Sequence, residues 1–299
     1  MTLKAESVGE IALKKLKQEN SGRVHSVFSK AVNLVTDSGF LITVLREALH
    51  PCGINLSPAF FPFFEVEEKE EYIFNENYLN FAGGNVIDFT GSKKFFINYT
   101  PPNSGIDPYL LENNIEFLKK YLKIKKKDVP NKFNKEFKKR KNEFNIQMIR
   151  RKKNFREIIK SLAGFGPGLT PAGDDFLSGY LLTGYYHRKN LYEPLHINHS
   201  LIEDMCEYAK TVAFHSALNK DDFYNLNTSF FGRHQLYFSS RGYTLDRIWN
   251  LIHFLHQKDI GNYPEKMDKV LQIGATSGYA WMEGILTALN HLISENNIS

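Results

Sequence analysis

The densest chemistry in the sequence lies at residues 164–179, Gly-Phe-Gly-Pro-Gly-Leu-Thr-Pro-Ala-Gly-Asp-Asp-Phe-Leu-Ser-Gly. Five glycines and two prolines fall here between two stretches of helical periodicity. Glycine tolerates positive φ and lets backbone approach a ligand closely. Asp174 and Asp175 then open a helix, where carboxylates suit the positive end of the dipole. A glycine loop feeding a helix N-terminus is a natural place for an anion. The two carboxylates work against that, since they repel a phosphate on the loop amides unless a cation intervenes. Three arrangements fit the residues. A divalent ion such as Mg²⁺ sits between Asp174, Asp175 and a phosphate. A carboxylate accepts N–H donors from an amide or carbamoyl substrate. Or the aspartates only cap the helix. So many glycines are entropically costly to order, which favours a ligand over a mere turn. The loop is no Walker motif, because Gly-Lys-Ser/Thr is missing. It is no dinucleotide fingerprint either, because no βαβ pattern frames it.

A second loop near the C-terminus has the same grammar. Gly274-Ala275-Thr276-Ser277-Gly278-Tyr279-Ala280-Trp281-Met282-Glu283-Gly284 parallels the stretch around Ala172-Gly173-Asp174-Asp175-Phe176, and Gly173 and Gly278 stand 105 positions apart. Each unit places a further glycine, Gly179 or Gly284, inside its helix, which permits close helix packing. Two loop-and-helix units facing each other would frame one pocket, with hydroxyls from Thr170, Thr276 and Ser277.

Other chemistry-bearing residues are weaker. His25 and Ser26 start a strand-like run, and neighbours on a strand point to opposite faces. Their adjacency alone therefore makes no nucleophile–base pair. Histidines at i, i+3 occur as His196/His199 and His253/His256, without further ligands at metal-site spacing. Cys52 and Cys206 are the only cysteines, and neither has an activating neighbour. Two cysteines exclude a disulfide framework and point to the cytoplasm.

The elements that must position these residues fall into two groups. Residues 8–18 read as an exposed helix. From Arg23 to about Thr100, short β-branched and aromatic runs alternate with turns at Asp37-Ser38-Gly39, Pro51-Cys52-Gly53, Asn75-Glu76-Asn77, Gly83-Gly84-Asn85 and Gly91-Ser92. From Pro108 the period becomes helical, over 109–126, 131–162, 175–189, 199–218, 243–257 and 279–294. Pro101-Pro102-Asn103-Ser104-Gly105 reads as a linker. The expected class is α+β: an antiparallel β region (barrel or sandwich) over residues 1–105, then a mainly α-helical region over 106–299 carrying both glycine-loop/helix units.

The 299 residues are 42% hydrophobic and 24% charged, an ordinary globular composition that excludes a disordered chain. No apolar run reaches the roughly 18 residues of a membrane-spanning helix, and Met1 to Gln18 lacks the features of a secretory signal. The net charge of +5 is uneven: between Leu111 and Lys160 stand 18 Lys or Arg against 6 Asp or Glu, so the remainder is acidic. Within that segment Phe133, Phe137, Phe144, Met148, Ile149, Phe155, Ile158 and Ile159 recur at helical intervals. The pattern is that of an amphipathic helix with a solvated basic face. Its aromatics lie at core spacing and form no stacking platform, so nucleic acid is not the expected partner.

The two glycine loops resemble the signature blocks of a bacterial family, the AllH-type subunits of oxamate carbamoyltransferase of allantoin, and hence purine, catabolism. A third block, Gly22-Arg23-Val24-His25-Ser26-Val27-Phe28-Ser29-Lys30-Ala31-Val32-Asn33-Leu34, is similar as well, and the three span residues 22–289. Ala275 departs from the pattern, which commonly has histidine there. The resemblance implies a transferase subunit that moves a carbamoyl group between an oxamate-type amide and phosphate. It implies partner subunits, one similar to an acyl-CoA synthetase subunit, and a small anionic substrate. It places the site at Gly166, Gly168, Thr170, Gly173, Asp174 and Asp175, with Thr276, Ser277 and Gly278 opposite. Asp174 and Asp175 are the expected catalytic residues and Mg²⁺ ligands; the glycines, the hydroxyls, His25 and Ser26 are expected to bind substrate. No cofactor beyond that Mg²⁺ is indicated. The alternative is a non-catalytic binding or assembly subunit.

Overall fold

The computed structural model describes residues 1–97, 108–125, 131–149, 159, 161–190, 228–257, 263–274 and 276–296. Contacts divide the chain into two units, Met1–Tyr99 and Thr100–Ser299.

The first unit is a small β-barrel. Its strands are β1 (Thr2–Gly9), β2 (Ser21–Phe28), β3 (Ala31–Thr36), β4 (Leu41–Leu45), β5 (Gly53–Leu56), β6 (Glu71–Asn75), β7 (Tyr78–Phe81), β8 (Val86–Asp88) and β9 (Lys93–Phe95). The order β5-β4-β3-β2-β6-β7-β8-β1 closes into a ring because β1 also pairs with β5. β9 continues beside β1 beyond the end of β8. Most pairings are antiparallel, as expected; β1–β8, β1–β9 and β4–β5 are parallel. Alternation sends one residue in two inward, so Leu3, Val24, Leu34, Ile42, Ile54, Leu56, Tyr72, Leu79 and Ile87 fill the barrel.

The expected N-terminal helix begins later than its periodicity suggests. Residues Thr2–Gly9 form β1, and only α1 (Glu10–Gln18) is helical. It is not wholly exposed either, since Ala12 and Leu16 are buried. Pro51 O accepts from the first free amides of α1, those of Ile11 and Ala12, at 3.0 and 3.1 Å. This satisfies helix-start donors that no side chain caps.

The second unit is helical: α2 (Pro108–Lys125), α3 (Asn131–Ile149), α4 (Ala172–Asn190), α5 (Phe230–Ser240), α6 (Asp246–Phe254), α7 (Tyr263–Leu271) and α8 (Ser277–Asn296). α5 and α7 were not expected from periodicity, and the expected helix at 199–218 lies outside the described residues, as do Phe155 and Ile158. α4 and α8 form the centre and pack more extensively on each other than any other pair. Their backbones nearly touch. A Cβ on Gly179 would overlap Trp281 O, and one on Gly284 would overlap Phe176 O. The two contacts exchange residues 105 positions apart, so the pair is related by a local two-fold pseudosymmetry.

α3 covers this pair with aromatic side chains. Phe144 meets the edges of Phe176 and Tyr180 at centroid distances of 5.3 and 5.1 Å, and Phe137 meets Phe176 at 5.8 Å. Part of the basic charge therefore serves internal contacts. Arg140 donates to Ser161 O and lies 4.5 Å over the Phe165 ring, tying α3 to the first glycine loop. Lys141 is ion-paired with Glu283 of α8, which also accepts from Tyr279 Oη at 2.7 Å. Lys141→Met leaves this nearly buried carboxylate with one donor. The expected loss in urea denaturation is about 1–3 kcal/mol, below the roughly 3–5 of a fully buried pair because Lys141 keeps 21% exposure. Replacement of the exposed Lys138 is expected to stay within about 0.5 kcal/mol; equal effects at the two positions would show that the pair contributes nothing.

Candidate functional site

The first glycine loop turns sharply. Gly164, Gly166 and Gly168 have φ of 73°, 113° and 101°, in the left-handed region that glycine alone enters freely. The loop then folds back on itself: the Gly173 amide donates to Phe165 O at 2.8 Å, and a Cβ on Gly173 would overlap Leu162 O. The amides of Asp174 and Asp175 donate to Pro171 O at 2.9 and 3.0 Å. These helix-start donors are thus already used within the protein and do not face a bound anion.

Both aspartates are fully buried. Asp174 Oδ1 accepts from the Gly164 amide at 3.0 Å, and its Oδ2 accepts from Thr228 Oγ1. The anion at the loop is therefore the protein's own carboxylate. Asp175 Oδ1 accepts from Gln235 Nε2 at 2.7 Å. Asp175 Oδ2 is buried and has no hydrogen-bond partner of normal geometry among the described residues. Burial pushes Asp174 up to about 6, against the lowering effects of the Thr228 and Gly164 hydrogen bonds and the Arg233 charge. Burial pushes Asp175 up to about 7; the Gln235, Ser277 and Trp281 side chains favour its ionised form, and the charge of Asp174 opposes it. A carboxyl poised near neutrality in a buried pair is able to hold or release a proton at physiological pH.

The N-terminus of α5 completes the arrangement. Ser229 caps α5 by accepting from the Gly232 amide at 2.9 Å, and its hydroxyl donates to Leu169 O of the loop. A Cβ on Gly232 would overlap Asp174 Oδ2 and Thr228 Oγ1, so only glycine lets α5 approach this carboxylate. Burial lowers the Arg233 guanidinium, while the charge of Asp174 acts to raise it. Among the described residues no carboxylate forms an ion pair with Arg233. Thr228, Ser229, Gly232, Arg233 and Gln235 were all missed in the sequence. The one signal was a hydroxyl pair before Phe-Phe-Gly, a plausible helix start.

The second loop mirrors the first. Gly274 has φ of 56°, the Gly278 amide donates to Ile273 O at 2.9 Å, and a Cβ on Gly278 would overlap Val270 O. Ser277 reaches the Asp175 carboxylate, so the two loop-and-helix units meet at that residue. Thr276 and Gly278 flank it in sequence, whereas in the first loop Gly168 is exposed and Gly166 and Thr170 are half-buried. Ala275 lies outside the described residues.

Residues 162–289, which hold both loops, match the family model described as oxamate carbamoyltransferase subunit AllH, and residues 4–94 match the AllH family N-terminal domain. The chain belongs to the AllH family. No curated protein and no solved structure matches it. The AllH segment thus contains Asp174, Asp175 and the α5 residues around them, and the AllH N-terminal domain is the barrel. Among the described residues no helix is long and apolar enough to cross a membrane.

Among the described residues Asp174 and Asp175 offer a divalent ion at most two carboxylates, so its other ligands would be water and a substrate phosphate. Both Asp174 oxygens are taken, and among the described residues no third His, Cys, Asp or Glu joins the pair. His253 and His256 face Tyr186 instead. The His256 ring stacks on it at 4.8 Å, and His253 Nδ1 lies 3.4 Å from its Oη. His196, His199 and Cys206 lie outside the described residues, and Cys52 is buried.

His25 and Ser26 belong to the barrel, and there the expectation of opposite faces fails. Between the pairs Val24↔Leu34 and Ser26↔Asn33, β2 has one residue more than β3. His25 is that extra residue, and its Nδ1 lies 3.3 Å from Ser26 Oγ. A β-bulge re-aims side chains in this way.

Proposed function

We propose that the chain is a subunit of a carbamoyltransferase acting on an oxamate-type amide, carbamoyl phosphate and phosphate. The observation that carries this reading is Asp175 Oδ2, a buried acceptor that no donor among the described residues meets with normal hydrogen-bond geometry, although Ser277 and Trp281 lie near the carboxyl, which is held near neutrality. An amide N–H of the substrate supplies the missing donor. The carboxyl then takes the proton that the amide nitrogen loses when it is carbamoylated, and returns it in the reverse direction. Arg233 meets the substrate's carboxylate or phosphate, and Thr170, Thr276 and Ser277 offer hydroxyls around it. Both carboxylates are closed off from solvent, so the exposed crest Pro167-Gly168-Leu169 lifts to admit the substrate. The chemistry takes place in the cytoplasm, with partner subunits that include an acyl-CoA-synthetase-like protein.

Asp175→Asn keeps the Gln235 contact and removes the titrating proton. In the reconstituted complex it is expected to lower turnover by at least about 100-fold, with the circular-dichroism spectrum unchanged. Turnover at the wild-type rate would sink the reading. Thermal shifts with oxamate and phosphate, each with and without Mg²⁺, test binding directly. A second reading, a non-catalytic assembly subunit, draws on the exposed Phe28, Phe60 and Phe63 of the barrel. It predicts that the Asp175→Asn complex stays active while barrel substitutions stop assembly.

A further inference from the structure

One side chain of α5 ties together two fully buried groups on α4. Gln235 Nε2 donates to Asp175 Oδ1 at 2.7 Å and to Ser178 Oγ at 3.3 Å. That nitrogen carries two protons, so each has its own acceptor. Asp175 and Ser178 stand at i and i+3 on α4 and share one face of it, which is how a single amide reaches both. The orientation of the amide follows from Asp175. An ionised carboxylate only accepts, so the nitrogen end must meet it. The reverse orientation would set the Gln235 carbonyl against Oδ1. That contact needs a proton on Oδ1 and is lost when Asp175 ionises.

The start of α5 holds Gln235 in place. Gly232, one turn earlier on the same face, lies so close to Asp174 that a Cβ would overlap Oδ2. Thr228 Oγ1 donates to that same oxygen, and Ser229 caps α5 while donating to Leu169 O. Few charges act on Asp175 among the described residues. On α4 the neighbouring charge is Asp174, and Arg233 of α5 acts on Asp174. His234 of α5 has its Nδ1 2.9 Å from Phe230 O. From α8, the neutral Ser277 and Trp281 lie near the carboxyl, and Glu283 is engaged by Tyr279 and by Lys141 of α3. Gln235 is the one side chain among the described residues that donates to Asp175 with normal hydrogen-bond geometry.

We infer that Gln235 is a positioning residue that holds Asp175 Oδ1 as an acceptor and so leaves Oδ2 to take the substrate's proton. The inference rests on the carbamoyl-transfer reading above. As a base, Asp175 must enter the reaction ionised, because a carboxyl that holds its proton cannot take another. Burial and the Asp174 charge both oppose ionisation, and the Gln235 donor offsets them. Ser178 occupies the second N–H and keeps the first aimed at Oδ1. Gln235 itself neither gives nor takes a proton; its effect is exerted through Asp175.

The test is the pH dependence of kcat/KM in the reconstituted complex, beside the carboxyl-carbon titration of Asp175 in the full chain labelled with ¹³C-aspartate. The signal missing from Asp175→Asn assigns the titration. Wild-type kcat/KM is expected to fall as the pH drops through about 7. Gln235→Leu should move that limb and the titration upward by about one to two pH units. Activity at pH 6 then falls by about 10–100-fold and recovers as the pH rises. Gln235→Lys, which puts a cation in the same place, should move both downward. Ser178→Ala should give a smaller upward shift. A residue with only a structural role would lower turnover at every pH and move neither limb nor titration. Unmoved profiles in a folded Gln235→Leu complex, or shifts of the same direction for leucine and lysine, would overturn the inference and leave the carbamoyl-transfer reading standing. If the leucine variant does not fold, an unmoved titration in Ser178→Ala and Gln235→Lys would overturn it equally. Wild-type turnover by Asp175→Asn would overturn both.

Discussion

Asp175→Asn is expected to raise the thermal midpoint of the helical unit at pH 8 and to leave it unchanged at pH 4. In the unfolded chain the Asp175 carboxyl titrates at its ordinary 3.8, and in the folded chain at about 7. Between those values the folded protein keeps a proton that the unfolded chain has released. The stabilisation linked to that proton is fully present below 3.8 and is lost as the pH rises through about 7. Asp174 adds a parallel loss that ends near 6. At about 1.4 kcal/mol per pH unit, the Asp175 shift corresponds to on the order of 4 kcal/mol. Asparagine keeps an oxygen for Gln235 and never ionises, so it avoids the penalty. Calorimetry at pH 4, 6 and 8 should show variant and wild type diverging by about 5 °C or more at the alkaline end. A difference that does not change with pH would mean that Asp175 is not buried as an unpaired acid. Together with the expected loss of turnover, the variant would be more stable and inactive, as when a site holds a charge that the fold disfavours.

Gly284→Ala is expected to destabilise the helical unit by at least about 3 kcal/mol, the upper end for overpacking. In an unconstrained helix the same change stabilises by about 1 kcal/mol, so even the sign is informative. The added Cβ meets Phe176 O, then Phe176 C and Tyr180 N, all of them backbone. No side-chain rotation relieves that overlap, and α4 and α8 must move apart. Gly179→Ala meets Trp281 O in the symmetric position and should behave alike. The double variant should cost less than the sum, because one separation of the helices relieves both overlaps. Urea denaturation followed at 222 nm, a general helix signal, measures all three; midpoints at or above wild type would refute the close crossing.

The barrel and the central helices were legible because their residues follow one period each. Tyr72, Phe74, Leu79 and Phe81 fall at alternate, inward positions of β6 and β7, and the turns at Asp37-Ser38-Gly39 and Asn75-Glu76-Asn77 carry their own chemistry. β1 was not read, although Thr2-Leu3-Lys4-Ala5-Glu6 alternates too, because it runs into α1 without a turn residue other than Gly9. α7 is only nine residues long, and a helical period needs more turns to be distinct. The glycine loop and its aspartates stood out by composition. Their partners did not: Thr228 and Gln235 are some sixty positions away, and what brings them to Asp174 and Asp175 is the approach of Gly232. The His25–Ser26 contact was hidden for another reason. Alternation is the right rule for a regular strand, and one extra residue at His25, visible only through the register of β3, suspends it.

Closure of the barrel bears on how this subunit can associate. In an open sheet the outermost strands expose unpaired N–H and C=O groups, and any extended chain can add to them. Here each of the eight ring strands has a neighbour on both sides. Among the described residues β9 has a partner on one side only; it is three residues long and begins Lys93-Lys94, a length and charge that discourage strand addition. A partner that met the barrel would have to recognise it by its side chains, and the defence against edge-to-edge aggregation is built into the ring itself.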